Sequence, residues 1–199
     1  MKRSIVIFAM LLPACAALQP PQQPVANTYV LDARPAAAPR QAAHERVLAV
    51  VMPRARPGFD TAQMAYLRRP HELEYFAKSR WADAPARMLA PLVAQAIERA
   101  GGVREVALSP GAALADLRLD AELVRLLQDF TAAPSRARIT LRVQLVDVRA
   151  NRVLATREFD ESEAAATDDA YGGVIAANRA LERLLGQVAA FVAEHAGGR

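Results

Sequence analysis

The chain has 199 residues, 53% of them hydrophobic and 23% charged, with a formal net charge of +4 and one cysteine. That length and apolar content suffice for a single buried core plus extras and exclude a disordered tail protein. The charge, part of which belongs to Lys2 and Arg3, is too small and too dispersed for a nucleic-acid partner, and a lone cysteine excludes an internal disulfide.

Lys2 and Arg3 precede an apolar run from Ser4 to Leu12. It falls far short of the roughly 20 residues a membrane-crossing helix needs, so it reads as a signal peptide. Leu12-Pro13-Ala14-Cys15 is similar to a lipobox, the site at which a lipoprotein signal peptide is cut before a lipid-modified cysteine. Pro13 departs from the small or hydroxyl residue usual at its position. Residues 1–14 are therefore the expected lipoprotein signal peptide and Cys15 the expected lipid attachment site, its thiol taking a diacylglyceryl group and its freed amine an acyl chain such as palmitate. The other reading is an ordinary signal peptide cut elsewhere, for instance after Ala17. Ala16, not aspartate, follows the cysteine, which by resemblance to enterobacterial lipoproteins implies the periplasmic face of the outer membrane. Residues 15–27, with Pro20, Pro21 and Pro24, suit an extended tether.

The folded domain is expected over residues 28–196, with 197–199 a short tail. Thr28 to Leu31 suits a short first strand. Val47 to Met52 is a continuous apolar run stopped by Pro53, which predicts a strand buried on both faces. Pro57-Gly58 marks a turn, and Gln63 to Arg68 with Glu72 to Lys78 predict a hairpin turning at Arg69-Pro70-His71. Asp83 is placed to cap a helix with Pro85 in its first turn; Met88, Leu89, Leu92, Val93, Ala96 and Ile97 recur at helical spacing, with a kink expected at Pro91 and a stop at Gly101-Gly102.

A short strand is expected near 104–108. Leu117, Leu119, Ala121 and Leu123 alternate with charged neighbours as a half-buried strand does, although 122–128 alone also fits a helix. Alternation over Ile139 to Leu145 and Arg152 to Phe159 around Ala150-Asn151 predicts a second antiparallel hairpin. A final helix, capped by Thr167 or Asp168, aligns Val174, Ala177, Leu181, Leu184, Val188 and Phe191 on one face and ends at Gly197-Gly198. The fold class is α+β: a mixed, mostly antiparallel sheet with two main helices packed on one face.

No pattern of catalytic or metal-ligating residues emerges. His44, His71 and His195 lie in a loop, a turn and a chain end without carboxylates or cysteine at ligand spacing, so no metal and no cofactor is expected. Neither a nucleophile elbow nor a phosphate loop is present, which argues against an enzyme. Glu72 and Glu74 read as charges on a solvated strand face, and Asp168-Asp169 as helix capping. Tyr66, Tyr75, Phe76 and Trp81 cluster among Arg68, Arg69, Lys78 and Arg80. Packing accounts for Tyr75 and Trp81, while aromatic and arginine side chains also suit a contact surface; Tyr66, Arg68, Arg80 and Trp81 are the candidate partner interface.

The lipobox, Tyr29-Val30-Leu31, Met64-Ala65-Tyr66, Glu74-Tyr75-Phe76, Arg80-Trp81-Ala82 and the closing stretch from Asp168 to Leu181 together resemble the ABC-type transport auxiliary lipoprotein family. The resemblance implies a small α/β sandwich, anchored by lipid to the outer membrane, that docks on an MCE-domain protein and its ABC permease and ATPase and assists intermembrane lipid transport. Hydrolysis belongs to the separate ATPase, and self-association into a homo-oligomer stays open. A structural or assembly lipoprotein of another envelope complex is the alternative.

Overall fold

A computed structural model describes residues 26–35, 41–108 and 115–197; Cys15, the signal peptide, the tether up to residue 25 and the last two residues lie outside them. The strands are β1 (Asn27–Tyr29), β2 (Gln41–Val50), β3 (Arg54–Ala55), β4 (Gln63–Leu67), β5 (Leu73–Trp81), β6 (Gly101–Leu108), β7 (Leu117–Asp129), β8 (Arg136–Asp147) and β9 (Arg152–Ala164); the helices are α1 (Pro85–Ala100) and α2 (Ala170–His195).

The sheet is organised along β7. One edge of β7 pairs antiparallel with β8, which pairs antiparallel with β9, so the predicted second hairpin is present and longer than the alternation suggested. The other edge receives β2, β3 and β4 in succession, all parallel to it, at Leu117–Leu119, Glu122–Leu123 and Leu127–Asp129. Residues 41–67 thus run beside β7 as one strand broken twice, at Pro53 and around Pro57-Gly58, where proline cannot donate to a ladder. The two longest ladders, β7–β8 and β8–β9, are antiparallel. Outside β4 lies β5, its antiparallel hairpin partner, then β1, parallel to β5; outside β2 lies β6.

Both helices contribute to one core. Leu89, Val93 and Ile97 of α1 and all six aligned residues of α2 are buried against Leu119, Leu123, Ile139, Leu141 and Leu145 of the sheet. The opposite sheet face is charged, with Arg118 Nε donating to Asp120 at 3.0 Å, Arg138 to Asp160 at 2.9 Å and Arg56 to Glu122 at 3.4 Å. Gly101 and Gly102 have φ of 77° and 89°. They turn α1 directly into β6, and a Cβ at Gly102 would stand 2.6 Å from Ala193 Cβ, so α2 crosses there at glycine distance.

Several expectations change. Only Leu48, Ala49 and Val50 of the run 47–52 are buried; the strand ends at Val50, and Met52 is 48% exposed because the chain has already left its β7 partner. The cap of α1 is Ala84, with no side-chain bond, while Asp83 accepts from Ala84 N at 2.7 Å and clasps Arg87. Residues 122–128 are strand, as the alternation predicted, and the helical alternative falls. Asp169 caps α2 by accepting from Gly172 N at 2.7 Å, whereas Asp168 crosses to Ser135 N at 2.9 Å. Helix α1 spans Pro85–Ala100 with the exposed Pro91 inside it.

Candidate interaction surface

The β4–β5 hairpin carries all four residues expected at an interface, and strand alternation divides them. Tyr66 and Glu74 stand opposite one another, and Tyr66 Oη donates to Glu74 Oε2 at 2.8 Å. That bond, the largest influence, with burial adding to it, raises the tyrosine's pKa above its ordinary value. The Phe76 ring lies 4.6 Å from that of Tyr66, and Phe130 meets Tyr66 edge-on at 5.9 Å. Phe130 is held there because its N–H donates to Leu67 O at 2.8 Å as β7 leaves the sheet. The Arg68 guanidinium lies over the Tyr66 ring at 5.3 Å, with its Nε 4.0 Å from Glu74 Oε1. Ring and carboxylate orient a cation whose side chain is 68% exposed, so Arg68 is presented to solvent in a fixed pose.

The turn beyond it is exposed and charged. His71 takes the left-handed φ of 68° that closes the turn, and Arg69 Nε pairs with Glu72 Oε2 at 2.7 Å. Glu72 and Glu74 therefore each have an arginine partner.

At the far end of β5, alternation buries Ser79 and Trp81 and exposes Lys78 and Arg80. Trp81 is 3% exposed and sits in the main core with Met64; Tyr66 is 8% exposed. Tyr66 and Trp81 support the surface from beneath, and Arg68 and Arg80 are the exposed members. Arg80 is in register with Gln63 at the start of β4, five strand steps of ~3.3 Å before Arg68, or about 16 Å, the ladder shifting register between Gln63 and Ala65. The two arginines belong to opposite ends of the hairpin. Strand β1 lies against the Arg80 end, Thr28 in register with Arg80 and Tyr29 with Trp81.

Residues 30–34 then cross to α2. Asp32 N donates to Asn178 Oδ1 at 2.7 Å and Asn178 Nδ2 to Val30 O at 3.3 Å, while Leu31 and Ala33 are buried. Tyr29 packs on Tyr171 at a ring distance of 6.2 Å, and a shallow groove of about 510 Å³ lies between this strap and α2. Neither Asn178 nor Phe130 was singled out by sequence; Phe130, the last apolar residue after the alternation of β7, carried the better signal.

A second, charged cleft of about 600 Å³ opens near the start of β2, and its arginines have acidic partners: Arg149 with Asp116 at 2.6 Å, Arg46 with Asp147 at 3.4 Å and Arg104 with Glu45 at 3.8 Å. Among the described residues no group of three or more His, Cys, Asp or Glu side chains is placed to hold a metal, and no helix is long and apolar enough to cross a membrane.

The profile of the ABC-type transport auxiliary lipoprotein component matches residues 29–189, nearly the whole folded domain. No curated protein matches significantly. Among solved structures the chain is similar to protein XCC0632 from Xanthomonas campestris, with 22% identity and a TM-score of 0.78 over 86% of this chain and 97% of that one. It is also similar to an uncharacterized protein, with 12% identity and a TM-score of 0.64 over 85% and 97% of the two chains. Both likenesses are of fold.

Proposed function

Since the chain belongs to the ABC-type transport auxiliary lipoprotein family, we propose that it is an outer-membrane-anchored, periplasm-facing accessory of an MCE-domain and ABC-type intermembrane lipid transporter. The observation that carries this reading is the family match across residues 29–189, downstream of a lipobox-like cysteine at position 15. In this reading Cys15 bears the lipid, and the domain contributes a binding surface while another polypeptide hydrolyses ATP.

The two ends of the hairpin suit such a role. The tether enters the domain at β1, twelve residues and at most about 40 Å of chain after Cys15, so the β1 end is the one joined to the proposed anchor. The opposite end, with Arg68 held over Tyr66, points away from that attachment and is the surface proposed for the transporter. Tethering raises the local concentration of this surface, so a weak contact suffices.

Purification of the lipidated chain from its own envelope tests the reading. Co-purification of an MCE-domain protein and an ABC ATPase is expected. Stable recovery with secretion or other assembly components in their place, and no transporter subunit, would overturn it.

A further inference from the structure

We propose that the outer edge of β1, with Lys78 and Arg80 beside it, is a contact surface for the anionic phosphate headgroups of the membrane that carries the anchor. This inference rests on the reading that Cys15 is lipidated and goes beyond it by assigning the domain an orientation.

Three observations carry it. The first is charge. Most basic side chains of the described domain lie beside a carboxylate, as in the pairs of Arg68, Arg69, Arg87, Arg118, Arg138 and Arg183. Lys78 and Arg80 are both exposed and among the described residues neither is paired with a carboxylate; Arg80 makes only a 3.4 Å bond from Nε to the Trp81 carbonyl. They are two residues apart on one strand, so both project from the same side of β5.

The second observation is position. Asn27, Thr28 and Tyr29 are in register with Ser79, Arg80 and Trp81, which puts the two free cations beside the point where the anchoring segment joins the domain. The third is the apolar character across β1. Val30 is 54% exposed and Tyr171 60% exposed, and Tyr171 meets the half-buried Tyr29 at 6.2 Å. The tyrosine rings lie on the helix side of this edge and the unpaired cations on its other side, so a bilayer's headgroup region meeting the edge would reach both kinds of group, each favoured there. An acidic protein would match the cations as well, but the short covalent path to Cys15 favours the lipid surface.

The test uses the full lipidated chain bearing Thr28→Cys, labelled with a fluorophore through the new thiol while lipid occupies Cys15. It is inserted into vesicles of phosphatidylcholine and phosphatidylglycerol containing a headgroup-nitroxide lipid as quencher. Quenching at position 28 is expected, together with little quenching of an Arg69→Cys label at the hairpin turn. Lys78→Glu with Arg80→Glu, or vesicles of phosphatidylcholine alone, should reduce the contacting population about 5-fold per cation lost, with the protein still floating with the vesicles.

Flotation with equal quenching at both positions, or quenching indifferent to the two substitutions, would overturn the orientation and leave the anchor standing. Loss of a protein partner in the double variant with quenching unchanged would reassign the surface to that partner. Failure to float would remove the anchor itself, and the proposal with it.

Discussion

The side-chain oxygen of Gln128 is buried against the backbone of Gly173: a Cβ at position 173 would stand 2.1 Å from Gln128 Oε1. The same carboxamide donates from Nε2 to Ser135 Oγ at 2.9 Å, and its oxygen has no hydrogen-bond partner among the described residues. The first turn of α2 therefore approaches β7 at a distance only glycine permits, and the amide is held from its other end.

Gly173→Ala is expected to destabilise the domain by about 1–3 kcal/mol through overpacking, read from the midpoint of denaturant unfolding. Adding Gln128→Ala to that variant should restore part of the loss, because the obstructing carboxamide is gone. Losses that simply add in the double variant would mean that this contact is not the cause.

Trp81→Ala should cost about 3–5 kcal/mol, because a large ring that is 3% exposed leaves a cavity between sheet and helices. Arg80→Glu, one residue away on the exposed side, should change stability by no more than about 0.5 kcal/mol. Thermal melts of the two variants side by side measure the contrast. Equal effects would contradict the alternation described for β5.

Arg68→Glu is expected to weaken capture of the transporter partner about tenfold while leaving the melting temperature within about 2 °C. Tyr66→Phe keeps the ring and removes the bond to Glu74, so it should weaken capture less and cost about 0.5–1.5 kcal/mol of stability. Affinity measurements on both variants separate orientation of the guanidinium from its charge.

The Asp83 carboxyl is held at about 2 by its hydrogen bond from Arg87, with the Ala84 N–H as the second cause. A carboxyl depressed in the folded state contributes stability above its unfolded value of 3.8 and loses it as pH falls toward about 2. Thermal midpoints measured from pH 5 downward should fall through that window, and Asp83→Asn should start lower and fall less steeply. An identical slope in the variant would show that the clasp does not contribute.

Cys15→Ser is expected to remove the lipid mass and release the protein from the membrane fraction. Mass spectrometry and fractionation measure both; unchanged mass and partitioning would refute the attachment site.

Much of this fold was legible because one periodicity persisted long enough to be read. The α2 stripe and the β8–β9 hairpin are such cases, each keeping its spacing over many residues. Strand β7 was half legible for a specific reason: its ladder shifts register between Leu123 and Arg125, so the apolar phase jumps and Leu123, Val124, Leu126 and Leu127 imitate a helix. Strand β3 has two residues and no period at all. Three neighbouring candidates, Thr167, Asp168 and Asp169, competed for the cap of α2, and the choice between them was settled by Ser135, some thirty residues away. At the candidate surface the residue types were visible in sequence, and period two already implied that Arg80 and Trp81 face opposite ways. What composition did not convey was the distance between Arg68 and Arg80, because that depends on the register of β4 against β5 and its shift between Gln63 and Ala65.

The pairing of β2, β3 and β4 along one edge of β7 has a consequence for the order in which the molecule becomes solid. Residues 41–67 find their β7 partners roughly sixty residues later in the chain, so until those emerge the β1–β5, β4–β5 and β2–β6 pairings and α1 can form only as separate pieces. Closure of the sheet waits for residues 117–129, which join the β2–β6 pair to the β4–β5–β1 group. If the chain is exported as proposed, such late consolidation favours passage through a membrane over premature collapse.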